Sequence, residues 1–256
     1  MPDETAIVPM FGRAEFDADK ATFLQSLNMT DGALLLVDKP YGFTSFNLVN
    51  RLKHILQRFS GDKWVKVGHG GTLDPLATGL LIIATRRATR SLTQLLGLEK
   101  TYWCELRLGI TTPSFDLETP ITIVGISDGV TAAIVETAVL GLVGEQLQTP
   151  PMYSAVKLRG KPMYEHARKG RQIEIAAKQI TIHSISDVHI SLPIVSFRIR
   201  CTKGTYIRSI VADLGTKLGC GAVLINLRRE LIGEYDVKDA ISAEQLDSLS
   251  EPGVTQ

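Results

Sequence analysis

The chain has 256 residues, of which 44% are hydrophobic, and its 28 basic and 27 acidic side chains give a net charge of +1. This composition favours a globular protein with a hydrophobic core, because the apolar runs are far shorter than the roughly 20 residues of a membrane-spanning helix. The acidic start MPDETAIV is unlike a secretion signal, and three widely spaced cysteines predict reduced thiols in a cytoplasmic protein without a zinc site.

Positive charge is concentrated in the middle of the chain. Residues 1–30 hold five acidic and two basic side chains, and residues 239–256 hold four acidic and none basic. Between them, 26 basic and 18 acidic residues leave a net charge of +8, which favours a polyanionic partner. The segment KLRGKPMYEHARKGR at 157–171 mixes cations with aromatic rings, as RNA-binding surfaces do, and RRATR at 86–90 could extend it. A solvated surface is the ordinary alternative for such charge runs.

The predicted elements alternate between helices and strands. Residues 45–59 have helical spacing of Phe46, Val49, Leu52, Ile55, Leu56 and Phe59, with Thr44 or Ser45 as the N-cap. Strands are predicted at 101–109 and at 194–202, where apolar and polar residues alternate. A helix is predicted from the GTYIR turn to the region of Gly219 and Gly221. This pattern indicates an α+β fold with a mixed sheet.

The stretch VGHGGTLDPLATGLLII at 67–83 places Asp74 in a glycine-rich loop before an apolar strand. Such a loop is often only a turn. A phosphate-binding loop is disfavoured, because the known patterns require a helix after the glycines. The third interpretation is a nucleophilic or acid/base aspartate, which His69, Thr72 and Thr78 in the same stretch would support. The loop alone leaves these alternatives open.

Five segments together resemble the TruB family of pseudouridine synthases, in order over roughly residues 32–231. They are LLLVDKPYGFTS (34–45), GHGGTLDPLATGLL (68–81), KTYWCELRLGITTPSFD (100–116), QTPPMYSAVKLRGKPMYEHARKG (148–170) and CTKGTYIRSIVADLGTKLGCGAVLINLRR (201–229). The resemblance implies the pseudouridine synthase fold, with a central mixed, largely antiparallel sheet flanked by helices. It also implies an N-terminal extension at 1–30, a catalytic domain at 31–238 and a short acidic tail at 239–256, with no PUA-like RNA-binding domain.

The activity implied by the resemblance is isomerisation of uridine 55 in the T-loop of tRNA to pseudouridine, by an aspartate nucleophile and base flipping. This reaction needs no cofactor and no metal, because it is neither a redox step nor a hydrolysis. The implied partner is the T-arm stem-loop of tRNA, and neither a membrane nor a protein partner is implied. The enzyme is expected to act as a monomer.

The resemblance also assigns residue roles. Asp74 is the implied nucleophile, Arg208 offsets the desolvation of that carboxylate, and Tyr102 stacks on the target base. His69 is expected to fill the gap that the flipped nucleotide leaves in the RNA. The remaining implied contacts are the uridine-pocket residues Tyr206 and Leu227 and the RNA-binding residues Lys157, Arg159 and Lys161. Lys39 and Pro40 are expected to support the floor of the site by packing.

Three alternatives remain at this point. A guide-RNA-dependent pseudouridylase shares the catalytic domain, but it is expected to keep an additional RNA-binding domain. A non-catalytic tRNA-folding module could keep the basic surface, although it would not need Asp74. A glycoside hydrolase would need a second carboxylate, for which Asp116 and Asp213 are the only obvious residues.

Overall fold

The computed structural model describes residues 8–154, 157–158, 161–163 and 175–251. The chain divides into two compact units. Unit 1 holds the residues up to Leu98 and those from Arg228 onward, and unit 2 holds Glu99–Leu227. Both units contain helices and strands. The predicted boundaries at residues 30 and 238 do not coincide with this division and stay a prediction.

The described residues of unit 1 form short strands and five helices. Its strands are β1 (Met10–Phe11), β2 (Leu34–Lys39), β3 (Val67–His69), β4 (Thr78–Thr85), the end of β13 (Ala222–Ile232) and β14 (Tyr235–Asp236). Its helices are α1 (Arg13–Ala18), α2 (Lys20–Asn28), α3 (Ser45–Ser60), α4 (Leu92–Gly97) and α7 (Ala243–Ser248), with 3₁₀ turns at Arg86–Ser91 and Val237–Asp239. Strands β2 and β3 pair antiparallel with β4, whereas β1 runs parallel to β2 and β13 runs parallel to β4.

Strands β2 and β4 are buried on both faces, which explains their continuous apolar sequences LLLV and LLIIA. On one face, Leu35 and Val37 of β2 pack with helices α1, α2, α3 and α7. On the other face, Leu34 and Leu36 pack with Leu95 of α4 and with residues near β14. The strands that flank the Asp74 loop are therefore fixed in the core.

Helix α3 confirms the helix predicted after Thr44. The Thr44 hydroxyl accepts a hydrogen bond from the backbone N–H of Asn47, and the Asn47 side chain accepts one from the Thr44 N–H. Of the apolar residues at helical spacing, Phe46 does not face the core: it is 64% exposed, and Leu48 is buried instead.

Unit 2 contains β5 (Lys100–Leu108), β6 (Ile110–Thr111), β7 (Thr122–Ile123), β8 (Gly144–Gln148), β9 (Lys157–Leu158), β10 (Lys161–Pro162), β11 (Lys178–Ser191), β12 (Ile194–Cys201) and the start of β13. Its helices are α5 (Ala132–Leu140) and α6 (Ile207–Lys217). Strands β8, β11, β12 and β5 follow one another in antiparallel order.

The alternation predicted for 194–202 is observed in β12. Val195, Phe197, Ile199 and Cys201 are fully buried, while Arg198 and Arg200 lie on the other face. The predicted helix after GTYIR is α6, which buries Ile210, Val211 and Leu214 and ends before Gly219. These residues form an apolar face at helical spacing against the sheet.

The mixed, largely antiparallel sheet and the α+β class confirm the predicted fold. Among the described residues, no helix combines the length and apolar character needed to cross a membrane. Cys104, Cys201 and Cys220 are unpaired and buried. Burial raises the pKa of the Cys104 and Cys201 thiols, so both are inert at neutral pH.

Candidate active site

The Asp74 loop joins β3 to β4 in unit 1, and a buried arginine holds its first half. Arg229 of β13 is 1% exposed, and its Nε donates to the carbonyl of Leu80 at 2.7 Å. Its two terminal nitrogens donate to the carbonyls of Gly71 at 3.1 Å and of Thr72 at 3.4 Å. The planar guanidinium, whose donors are spread along its fork, thus ties the loop to the strand that follows it.

The residue before Asp74 is fixed by Ser45 at the start of α3. The Ser45 hydroxyl accepts a hydrogen bond from the N–H of Leu73 at 2.9 Å and lies 3.3 Å from the Leu73 carbonyl. The side chain of Leu73 is buried as well. This contact explains why a small hydroxyl residue follows the N-cap Thr44.

The residue after Asp74 is held by Lys39, which is fully buried at the end of β2. Its ammonium donates to the carbonyls of Phe43 at 2.6 Å, Pro40 at 3.1 Å and Pro75 at 3.3 Å. The Pro75 carbonyl also accepts from the N–H of Gly42 at 2.9 Å. Lys39 therefore does more than the packing expected of it, since it fixes the backbone on the far side of Asp74.

Asp74 itself is partly exposed between these two supports. Its own carbonyl accepts from the N–H of Ala77 in a turn that leads into β4. A carboxylate on such a fixed backbone is presented in one direction at low entropic cost, which suits a nucleophile or a general base. The loop is therefore held by side chains on both sides of Asp74.

The surroundings of the loop lower the pKa values of both Lys39 and His69. Burial, opposed by the charge of Asp74 and reinforced by Arg229, lowers the pKa of Lys39 to about 8. Burial, followed by the charge of Arg229, lowers the pKa of His69. The buried Nδ1 of His69 has no hydrogen-bond partner in the described part of the chain. At neutral pH His69 is thus uncharged, which fits stacking on a base better than binding a phosphate.

Arg208 lies in unit 2 at the start of α6, and it is 3% exposed. Its terminal nitrogens donate to the carbonyls of Ser114 at 3.0 Å and of Tyr153 at 2.8 Å, and its Nε lies 3.6 Å from Oδ2 of Asp116. Arg208 is therefore a buried residue, although arginines in the first turn of a helix are usually exposed. Asp116 is buried beside this guanidinium, so its carboxylate serves as a structural partner rather than as a second acid.

The other predicted residues of unit 2 occupy the sheet and the start of α6. The side chain of Gln148 on β8 bonds both backbone groups of Tyr206, donating to its carbonyl at 3.0 Å and accepting from its N–H at 2.8 Å. Tyr102 is largely buried on β5 opposite Ile199. Leu227 is buried on β13. Tyr102 and Leu227 lie within strands, and Tyr206 lies in the turn just before α6, where Gln148 holds its backbone.

Three predicted RNA contacts are placed only in part. Lys157 begins strand β9 and Lys161 begins β10, and these strands pair antiparallel, with Lys161 opposite Leu158. Arg159 lies outside the described residues. The contacts of these three side chains with RNA stay a prediction.

Within the described ranges, no cluster of three or more histidine, cysteine, aspartate or glutamate residues is arranged to hold a metal ion.

Sequence reasoning missed Arg229 and Ser45 as supports of the Asp74 loop, and Gln148 as the support of Tyr206. A signal existed for Arg229, because β13 has alternating burial and Arg229 stands on the same side as Leu227. A charged residue on the apolar face of a strand indicates a polar group that binds it in the core. Its carbonyl partners are about 150 positions away in the sequence, so they could not be named from the pattern.

Comparison with known proteins bears on both units. The model of the TruB family pseudouridylate synthase N-terminal domain matches residues 54–207, and that of the tRNA pseudouridylate synthase B C-terminal domain matches residues 208–251. A protein named tRNA pseudouridine synthase B from Flavobacterium johnsoniae is 45% identical, over 82% of this chain and 93% of that protein. A protein of the same name from Parabacteroides distasonis is 43% identical, over 88% of this chain and 96% of that protein.

A solved Cbf5–Nop10–Gar1 complex contains a chain of similar fold. The match has a TM-score of 0.62 and 26% identity, and it covers 95% of this chain and 59% of that one. This chain thus spans somewhat less than two thirds of that longer protein. The family models, the relatives and the fold agree with one another. The chain belongs to the TruB family of pseudouridine synthases.

Proposed function

We propose that this enzyme converts uridine 55 in the T-loop of tRNA to pseudouridine. The observation that carries the proposal is the fixed backbone around Asp74, in a chain whose relatives in Flavobacterium and Parabacteroides are named tRNA pseudouridine synthase B. The reaction breaks the bond between N1 and C1′, rotates the base and joins C5 to C1′. Atoms and electrons balance without a co-reactant.

Asp74 is the proposed nucleophile. A carboxylate that attacks a desolvated base must be ionised and aimed, and hydrogen bonds to Leu73 and Pro75 hold the backbone on either side of it. The positive charge of Lys39 and the negative charge of Asp74 stabilise each other. Tyr102 and Arg208 keep the roles assigned by resemblance, stacking on the base and offsetting desolvation.

Access to the uridine requires base flipping, which costs a few kcal/mol of stacking and is least costly in a strained loop. His69 supports this step, because its lowered pKa leaves a neutral, flat ring that can stack where the nucleotide has left. Tyr206 and Leu227 are proposed to line the pocket for the flipped uridine. Lys157, Arg159 and Lys161 are proposed to hold phosphates of the T-arm.

Further parts of the proposal concern the whole protein. It acts as a monomer in the cytoplasm, and residues 31–238 form the catalytic domain. The separate guide RNA of a guide-dependent pseudouridylase is not required. A non-catalytic tRNA-folding role is the other alternative, and it predicts binding without any product.

The decisive experiment maps pseudouridine at single-nucleotide resolution in a tRNA transcript incubated with the protein alone. We expect product at position 55 only. Asp74→Asn should abolish turnover while RNA affinity stays close to that of the wild type, because the amide is similar in size and only the nucleophilic charge is lost. Product from Asp74→Asn at near wild-type rate would refute the mechanism. A requirement for a second RNA would instead support the guide-dependent alternative.

A further inference from the structure

A small basic cavity on the surface of unit 1 lies outside the proposed catalytic machinery. It has a volume of about 290 Å³, and its lining includes Trp64, Lys66, Arg86, Arg87 and Arg90. Thr30 also lines it, and the rest of the lining comes from two separate stretches, the loop between α3 and β3 and the 3₁₀ turn after β4. They meet because β3 pairs with β4, with Val67 opposite Thr85.

Trp64 is the most exposed large apolar residue of the described chain, at 90%. Its backbone is nevertheless fixed, because its N–H donates to Asp62 Oδ1 at 2.8 Å. The carbonyl of the preceding residue, Lys63, accepts from the Gln57 side chain at 2.6 Å. An exposed indole on an ordered loop contributes little to the core, and its flat apolar face is available to a ligand.

Arg86 maintains the shape of the cavity. Arg86 has a positive φ of 47°, and its side chain binds Asp62 at 3.0 Å and Asn28 at 2.6 Å. Its N–H also donates to the carbonyl of Lys66 at 2.7 Å. These contacts join the Trp64 loop to the 3₁₀ turn. The pair between Arg87 and Asp31, at 3.3 Å, is largely exposed and therefore weak.

The remaining cations are available to a ligand. Lys66 and Arg90 are exposed, and neither side chain makes an ion pair or hydrogen bond within the residues that the structure describes. An anion would therefore not have to displace an internal partner to reach them. One flat aromatic face beside two unpaired cations matches the chemistry of an unpaired nucleotide, whose base stacks while its phosphates bind the charges.

The position of the cavity connects it to the substrate. Lys66 immediately precedes β3, and His69 ends that strand, so about 10 Å of extended backbone separates them. An RNA that reaches His69 would therefore bring neighbouring nucleotides close to the cavity. From this geometry we propose that the Trp64 cavity is a second RNA-binding subsite, which stacks one unpaired nucleotide of the substrate on Trp64 and binds its phosphates through Lys66 and Arg90.

The test uses binding of a tRNA transcript to the full chain, in the Asp74→Asn background so that no product forms. Trp64→Ala should weaken affinity roughly tenfold, as loss of one stacked base does, whereas Trp64→Phe should keep most of it. Lys66→Gln with Arg90→Gln should weaken affinity and reduce its dependence on salt. Lys217→Gln, which removes an exposed charge from α6, is the matched control and should change neither.

Turnover separates this subsite from the catalytic site. In an enzyme with Asp74 intact, Trp64→Ala should raise KM and leave kcat at saturating tRNA unchanged. Unchanged affinity of Trp64→Ala, with circular dichroism showing a folded protein, would overturn the proposal. The subsite rests on the proposed function only for the identity of the RNA. If the wild type binds tRNA through Trp64 but forms no pseudouridine, the proposed function fails and the subsite stands.

Discussion

Lys39 has one donor for each of the three carbonyls that surround it. An ammonium carries three N–H donors, whereas the neutral amine carries two. Deprotonation therefore removes one of the bonds to Pro40, Phe43 or Pro75. Since Pro75 directly follows Asp74, the charge state of a buried lysine is linked to the order of the Asp74 loop.

This link predicts a pH dependence of stability. The pKa of Lys39 is about 8 in the folded protein and has its ordinary value of 10.5 in the unfolded chain. Between these values the unfolded chain binds more protons, so the contribution of Lys39 to the free energy of unfolding rises with pH. Below about pH 8 its burial as a cation is a constant cost. Lys39→Met should remove that rise.

The measurement is urea unfolding of both proteins from pH 7 to 10.5. The difference between the two free energies of unfolding isolates Lys39 from the tyrosines and cysteines that titrate in the same range. Parallel curves would mean that Lys39 keeps an ordinary pKa. Wild-type turnover should also decline above about pH 8, as the third hydrogen bond is lost.

Arg208 offers a second test at the level of single residues. Arg208→Lys keeps the charge but cannot serve Ser114, Tyr153 and Asp116 together, which leaves buried acceptors unsatisfied at a cost of about 2 kcal/mol. We expect turnover to fall roughly tenfold or more at saturating RNA, with affinity less affected. Single-turnover assays and thermal unfolding measure the two effects.

Asp116→Asn is the control for this substitution, because it removes the carboxylate and leaves Arg208 and its two carbonyl bonds intact. If Arg208 stabilises charge during catalysis, Asp116→Asn should lower stability with a much smaller loss of turnover. Equal losses of turnover in the two variants would make Arg208 a structural residue. Loss of RNA binding with normal chemistry at saturation would make it a phosphate contact.

The sequence predicted single elements well where burial is one-sided. Strand β12 and helix α6 each have one buried face, and their periods of 2 and 3.6 are visible in the residues. Strands β2 and β4 are buried on both faces, so their apolar runs carry no period. The supports of Asp74 were less predictable, because Lys39 and Arg229 are buried cations whose carbonyl partners come from distant segments.

At Gly215 of α6, close packing outweighs the intrinsic preference of alanine over glycine in a helix. A Cβ on Gly215 would lie 2.1 Å from the backbone nitrogen of Ala222, although alanine is the better helix former by about 1 kcal/mol. Gly215→Ala should therefore destabilise the protein by about 1–3 kcal/mol, the usual cost of overpacking. Thermal and urea unfolding measure this change. Gly97→Ala, with nothing within 4 Å of its Cβ, is the control and should be neutral or slightly stabilising.

A prediction for the whole molecule concerns the extent of the bound RNA. The basic middle of the chain and the proposed contacts all serve a local piece of RNA around the target uridine. An isolated T-arm hairpin should therefore be a competent substrate, and full-length tRNA should bind less than about tenfold more tightly, or about 1.4 kcal/mol. Matched transcripts of the two RNAs provide the measurement. An inert hairpin beside a modified tRNA would show that recognition extends further.

The core of unit 1 joins segments from near both ends of the described chain. Phe23 and Leu27 of α2 pack in the same cluster as Ile241 and Leu246, although more than 200 residues lie between them. Unit 2 is continuous in sequence. During synthesis, residues 99–227 can therefore fold as soon as they have emerged, whereas the core that fixes the Asp74 loop must wait for residues 228–249. The proposed nucleophile is thus positioned late in synthesis, after all of unit 2 has emerged.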